Sequence, residues 1–224
     1  MLFRIEHETV LSYSEAVFEH VFELRMAPVS NDDQTTLGYR LQVAPLAPTT
    51  PYRDGHGNRV ELITLLPPCK KICVRATSFV RTHRRDANIS ACTMPRRWSS
   101  AVSSVEVMDC LGHSNLADGG IWLDELSTTL EIQPDLTMAT LISRMMAAVA
   151  SSIRYEKSAT GVGTRASEAV AMGRGVCQDF SHILIALSRS LGLPARYVSG
   201  YIHEPGEIAT PAWVQLWCGS QVGW

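Results

Sequence analysis

The stretch that decides the fold of the second half of this chain runs from Gly175 to Tyr201 and reads GVCQDFSHILIALSRSLGLPARYVSGY. After Cys177, apolar residues recur every three or four positions, which is typical of an amphipathic helix. Gly192 and Pro194 follow as stop signals, and residues 195–202 form a β-type run. The pattern predicts a helix that begins beside Gly175 and is followed by a strand.

Another helix and another strand lie on either side of this stretch. From Leu136 the chain shows one apolar face, formed by Met138, Leu141, Ile142, Met145, Val149 and Ile153. A β-type run at residues 212–218 follows a loop rich in Pro and Gly. We therefore expect residues 134–224 to form an α+β unit with the Cys177 helix packed on an antiparallel sheet.

The first 85 residues have a different pattern. Near-alternation of apolar and polar residues predicts strands at residues 5–13, 38–44, 60–65 and 72–82. The run from Asp54 to Asn58 contains two glycines, so we expect it to be a hairpin turn. Residues 1–85 are thus predicted to be a β-rich domain, and residues 86–133, which lack a sustained period, an irregular connector.

Composition excludes several classes of protein. The chain has 224 residues, of which 46 % are hydrophobic and 19 % charged, and its net charge is −2. This balance excludes disorder of the bulk and argues against partners chosen by charge, so we expect no nucleic-acid or membrane partner.

The six cysteines lack the spacing of a metal site, and we expect no metal or cofactor. Charges near the N-terminus exclude a signal peptide, so we expect a cytoplasmic protein with reduced thiols.

Cys177 is the candidate for chemistry because of its place at the start of a helix. Unpaired N–H groups and the helix dipole favour a negatively charged group there, so a thiol tends toward thiolate. The alternative is a small buried hydrophobic residue, which most lone cysteines are. Position alone leaves both interpretations open.

The wider sequence favours the first interpretation. Residues 175–182 and 191–201 resemble the core of the transglutaminase-like superfamily, whose bacterial members are often described as cysteine proteases. The resemblance covers residues 134–224, and the segment YRDGHGN at residues 52–58 resembles the β-domain that precedes such cores. It implies a papain-like fold and action on amide bonds of a peptide or protein substrate through a Cys, His, Asp triad. Cys177 matches the nucleophile, and its backbone N–H would serve as an oxyanion donor.

The other two triad positions depart from the family pattern. Where the family has His before Ala-Trp-Val, this chain has Pro211, which can neither accept nor donate a proton. The family's Asp follows a Gly-Trp pair, and Gly223-Trp224 are the last residues given, so we expect a core truncated at its C-terminus. Pro211→His together with a restored Asp is expected to recover activity.

Two other histidines are candidates for a substitute base. His182 lies five positions after Cys177, about 140° round the helix, and is expected on a partly exposed face with Gln178 and Arg189. His203 ends the following strand and, as a loop residue, is the more plausible substitute.

Three interpretations compete. The chain is an impaired thiol enzyme acting as peptidase, amidase or transamidase, a non-catalytic module that binds a peptide or partner, or a truncated product without function.

Overall fold

The computed structural model describes residues 1–83, 105–133, 136–202, 211–219 and 223–224. The chain divides into two compact units, Met1–Asp86 and Ala87–Trp224. The first contains strands, and the second mixes helices with short strands. The predicted α+β class is therefore confirmed.

The first unit is built from two antiparallel three-stranded sheets. One has the order β1, β6, β3 and the other the order β2, β5, β4. The strand bounds are β1 Leu2–Val17, β2 His20–Leu24, β3 Gln34–Ala44, β4 Thr49–Arg53, β5 Arg59–Leu65 and β6 Cys69–Thr82. All four predicted strands are present, and β2 and β4 are additional.

The turn predicted at Asp54–Asn58 joins β4 to β5. Arg53 pairs with Arg59 across the hairpin, and the Asp54 N–H donates to the Asn58 carbonyl at 3.1 Å. Gly57 has a φ of 78°, which only glycine adopts without strain. The Arg25 guanidinium and the Asn58 side chain hold the pKa of Asp54 well below its usual range, despite partial burial. The turn is thus fixed by its own sequence and by one ion pair.

The second unit is centred on one helix. Its elements are α1 Val105–Met108, α2 Ile121–Thr128, α3 Met138–Ser152, β7 Arg154–Tyr155, α4 Ala166–Met172, β8 Arg174–Gly175, α5 Cys177–Ser190, β9 Ala195–Ser199 and β10 Ala212–Leu216. Strands β9 and β10 are antiparallel, and β7 and β8 are parallel. Helix α5 packs against α2, α3, α4, β8, β9 and β10. Its position therefore determines the position of every group near Cys177.

The predicted apolar faces of α3 and α5 pack into one core, and α5 also buries polar residues that the sequence did not place there. In α3, Met138, Leu141, Met145 and Val149 are buried, and Thr137 caps the helix by accepting a hydrogen bond from the Thr140 N–H. In α5, Ile183 and Leu187 are fully buried. Because neighbours surround α5, the polar residues Asp179, Ser181, His182 and Ser188 are buried too.

The irregular connector expected at residues 86–133 needs correction in its described part. Residues 105–108 and 121–128 are helical, and Val107, Leu123 and Leu130 are buried. Leu123 and Leu130 belong to the same core as α3 and α5. The helices are too short to show a period in sequence, and their apolar residues are held by contacts with distant elements.

Candidate active site

Cys177 is the first residue of α5, as predicted. Val176 precedes it in an extended conformation, with φ −110° and ψ 179°. The Cys177 side chain is half-buried, and its thiol forms no disulfide. The Asp179 N–H donates to the Val176 carbonyl at 2.9 Å, whereas the N–H groups of Cys177 and Gln178, at the first two positions, have no carbonyl partner within the helix.

Asp179 fixes the start of this helix. Its carboxylate Oδ2 accepts hydrogen bonds from the Val176 N–H at 2.7 Å and from the Thr160 hydroxyl at 2.5 Å. The residue is 1 % exposed. Oδ1 has no hydrogen-bond partner among the described residues. Asp179 therefore ties the loop containing Thr160 to the residue that precedes the nucleophile.

Sequence reasoning missed this role of Asp179. The available signal was an acidic residue at the third position of a helix, which commonly binds the N–H of the N-cap residue. What the sequence did not reveal is the partner Thr160, which lies 19 residues earlier.

Gly175 is required by the same arrangement. A Cβ atom at this position would lie 2.7 Å from both Cβ and Oδ2 of Asp179, far inside ordinary contact distance. The glycine thus lets β8 approach the buried carboxylate closely.

His182 and Tyr197 form a pair of rings beside the helix, with centroids 5.5 Å apart. Burial lowers the pKa of His182, and the charge of Asp179 and a hydrogen bond to the Thr164 backbone oppose that shift. Burial raises the pKa of Tyr197, with smaller contributions from the charges of Cys177 and Asp179. These couplings bring Cys177, Asp179 and Tyr197 into one electrostatic neighbourhood.

The expectation that His182 is partly exposed is wrong. The residue is 6 % exposed, and its Nδ1 atom has no partner among the described residues. The side chain lies on the Gln178 and Arg189 side of α5, as predicted, but this side is covered by other parts of the unit.

A cavity of about 570 Å³ lies along this side of α5. We call it the α5 pocket. It is lined by residues from α5, β9 and the segments before α2 and α4: Ser114, Asn115, Leu116, Ala117, Val162, Gln178, His182, Ile185, Arg189 and Tyr197. Its volume falls in the range of ordinary ligand sites.

Pro211 lies at the entry to β10, where the family resemblance places the base. Its carbonyl accepts a hydrogen bond from the Gly200 N–H at 3.3 Å. The adjoining strand carries Trp213, whose ring lies so close to Gly200 that a Cβ there would approach it to 2.5 Å. Helix α5 packs against this strand. His203, the substitute base suggested by sequence, lies outside the described residues.

Metal-binding clusters and membrane-spanning helices are both absent from the part of the chain that the structure describes. No group of three or more His, Cys, Asp or Glu side chains there is placed to hold a metal ion. Among the same residues, no helix is long and apolar enough to cross a membrane.

Comparison with known proteins agrees with this architecture. Residues 127–224 match the transglutaminase-like superfamily, and residues 3–81 match the bacterial transglutaminase-like N-terminal region. An uncharacterized protein of Mycobacterium leprae is 28 % identical over 99 % of this chain and 80 % of its own length. An uncharacterized protein of Mycobacterium tuberculosis H37Rv is 23 % identical, over 99 % of this chain and 75 % of its own.

A solved structure shares the fold. A candidate cysteine protease from Cytophaga hutchinsonii superposes with a TM-score of 0.77, covering 98 % of this chain and 76 % of that one at 18 % identity. At this identity the likeness concerns the fold alone. The chain therefore belongs to the transglutaminase-like superfamily, with its core at residues 127–224 and a bacterial transglutaminase-like N-terminal region at residues 3–81.

Proposed function

We propose that this protein acts on amide bonds through an acyl-enzyme on Cys177, and that Pro211 makes its turnover weak. The observation that carries the proposal is the position of Cys177 as the first residue of α5, beside the α5 pocket. The substrate class is a peptide or protein amide, and the reaction is that of a peptidase, amidase or transamidase.

The first step joins the Cys177 sulfur to the carbonyl carbon of the amide. The N–H of Cys177 would bind the developing oxyanion, since it is unpaired at the head of the helix. The C–N bond then breaks, and the nitrogen must gain a proton before the amine leaves. Water or an amine afterwards attacks the thioester and returns the thiol.

This chain differs from the family pattern in the group that would transfer a proton during the reaction. Pro211 has no group that can take a proton from the thiol or give one to the amine. Loss of one member of such a triad typically costs several orders of magnitude in turnover. We therefore expect acylation of Cys177 to be limited by the leaving group rather than by the nucleophile.

An ester and an amide with the same acyl group separate attack by the Cys177 sulfur from protonation of the leaving group. A p-nitrophenyl ester loses a phenolate that needs no proton, whereas the matching primary amide must expel a protonated amine. We expect a burst of about one p-nitrophenol per protein chain, followed by little turnover, and negligible ammonia release from the amide. Mass spectrometry would locate the acyl group on Cys177.

Cys177→Ala should abolish the burst, and Cys218→Ala, which removes another half-buried thiol, should leave it unchanged. A burst that persists in Cys177→Ala would place the nucleophile elsewhere. Rapid Cys177-dependent ammonia release would show that another group, His203 being the first to test, supplies the base.

A second candidate is a non-catalytic module that binds a peptide in the same place. The α5 pocket favours it, because a cavity next to Cys177 would bind a ligand whether or not the proton transfer occurs. Saturable peptide binding without any acylation of Cys177 would select this alternative.

The compartment is part of the proposal. None of the five cysteines within the described residues forms a disulfide, as is usual in a reducing cytoplasm. Cell fractionation of the producing bacterium would test it, and recovery outside the cytoplasm would refute it.

A further inference from the structure

Two lining residues of the α5 pocket are close to the nucleophile. Gln178, which follows Cys177 in the chain, lines the pocket, and so does Tyr197, whose pKa the charge of Cys177 helps to raise. A substrate whose carbonyl lies at the thiol would therefore place a neighbouring side chain at this cavity.

Among the described residues, the lining of the pocket contains a positively charged residue but no negatively charged one. Its lining residues include Arg189 and no carboxylate. The Arg189 Nε and Nη2 donate to the Ala195 carbonyl at 3.1 and 2.7 Å, and Nη1 donates to the Gly112 carbonyl at 2.6 Å. This guanidinium is therefore held in place with its charge uncompensated by any lining acid.

None of the other charged or titratable groups that the structure describes offers a ligand a carboxylate in the lining of the pocket. Burial lowers the pKa of His182, which favours its neutral form. Asp179, whose charge acts on His182 and Tyr197, is 1 % exposed and lies outside the lining, so a ligand cannot pair with it. A cationic side chain entering the pocket would lose water and find no carboxylate among the described lining residues with which to pair.

The remaining wall is aliphatic, besides the polar side chains of Ser114, Asn115, Gln178 and Tyr197. Leu116, Ala117, Val162 and Ile185 present aliphatic surface on several sides of the cavity. The buried His182 side chain, with its unpartnered Nδ1, adds a polar group at the same wall. Burying aliphatic surface here is favourable, whereas burying an unpaired charge is costly.

We propose that the α5 pocket binds an uncharged, mainly aliphatic side chain of the substrate residue next to the attacked amide, and rejects ammonium and guanidinium side chains. This inference rests on the proposed function in one respect, namely that the bound ligand is a substrate. The binding itself is independent of the reaction.

N-acetyl-norleucinamide and N-acetyl-lysinamide test it, because their side chains are similar in length and differ in charge. Binding is measured by ligand-observed NMR titration on the full chain carrying Cys177→Ala, so the result does not depend on acylation. We expect the norleucine probe to bind about tenfold or more tightly than the lysine probe. Equal binding, tighter binding of lysine, or no saturable binding of norleucine would overturn the proposal.

Two variants locate the effect in the pocket. Gln178→Glu places a carboxylate in the lining of the pocket, one helical turn from His182, and should tighten lysine binding about three- to tenfold with little change for norleucine. Gln133→Glu is the matched control, since Gln133 is exposed and outside the lining. If Gln178→Glu fails to fold by circular dichroism, Val162→Glu, at a lining residue that is 86 % exposed, makes the same test. Unchanged lysine binding in a folded pocket variant, or an equal gain in Gln133→Glu, would overturn the assignment.

A failure of this proposal is distinguishable from a failure of the proposed function. Loss of the ester burst concerns Cys177 alone, whereas probe selectivity is measured without that thiol.

Discussion

The Gly200 N–H donates a hydrogen bond to the Pro211 carbonyl at 3.3 Å, and the Pro211 nitrogen has no proton with which to return it. The next pair along, Ser199 and Ala212, begins the regular β9–β10 ladder. In an antiparallel pair, two residues that are opposite each other at a hydrogen-bonded position exchange two such bonds. Pro211 thus removes one backbone bond and, at the same position, the side chain that the family uses as a base.

Pro211→His should therefore act on chemistry more than on stability. The regained backbone bond contributes about 1 kcal/mol, and the greater freedom of the unfolded chain offsets it by about 0.4–1 kcal/mol. We expect the free energy of unfolding to change by less than about 1 kcal/mol, while ammonia release from an amide rises at least about tenfold. Urea unfolding and the amide assay measure the two effects.

The matched control for this variant is Pro211→Gln, which restores the N–H without a titratable group. An equal gain in turnover from glutamine would show that strand pairing, rather than the imidazole, limits the unmodified chain.

Cys177 should be the first thiol to react with iodoacetamide at pH 7. It starts α5, where unpaired N–H groups favour the negative charge of an attacking sulfur. Cys110 should be the slowest described thiol, because burial raises its pKa despite the charges of Arg189 and Arg196. Labelling followed by peptide mass spectrometry gives the order. Among the other thiols, Cys69 is the main alternative nucleophile, because its Sγ lies 3.4 Å from Nε2 of His20. Faster labelling of Cys69 than of Cys177 would remove support for Cys177 as the nucleophile.

Gly175→Ala should destabilise the second unit by about 1–3 kcal/mol. The added methyl group would collide with Asp179 and push its carboxylate away from the Val176 N–H. Gly161→Ala is the control, because a Cβ there would meet nothing within 4 Å. Urea unfolding measures both variants, and equal losses would show that the close approach of Gly175 to Asp179 has no energetic role.

The stability of the protein should fall as the pH is lowered from 7 to 5, partly through His182. Its pKa is lowered in the folded state, so the unfolded chain takes up the proton first as pH falls through about 6.5. The loss is at most about 1.4 kcal/mol per pH unit for one proton, and it ends below the folded-state pKa.

His182→Gln should reduce this pH dependence, whereas His113→Gln, at an exposed histidine, should leave it unchanged. Unfolding curves at a series of pH values make the comparison. An identical slope in His182→Gln and the unmodified chain would contradict the prediction.

Limited trypsin digestion should cut first between the two units. The sequence offers sites at Arg84, Arg85, Arg96 and Arg97, in a segment without apolar period. The contacts divide the chain at Asp86. We expect two protected fragments by mass spectrometry, and earlier digestion before Arg84 or after Arg97 would argue against this boundary.

The sequence by itself determined the elements whose signals are local. The 3.6-residue period gave α3 and α5 because each buries a run of apolar residues, and the turn residues gave the Asp54–Asn58 hairpin. The position of Cys177 at the head of α5 followed in the same way, since a helix start depends on neighbouring residues.

Only the tertiary structure decided what surrounds that cysteine. Strands β2 and β4 were missed, and β4 shows no alternation because it is exposed throughout, with Pro51 at its centre. The burial of His182 and the contact between Asp179 and Thr160 depend on elements packed on all sides of α5. Periodicity reports one buried face of a helix, whereas the environment of a polar side chain is set by residues distant in sequence, which no local pattern encodes.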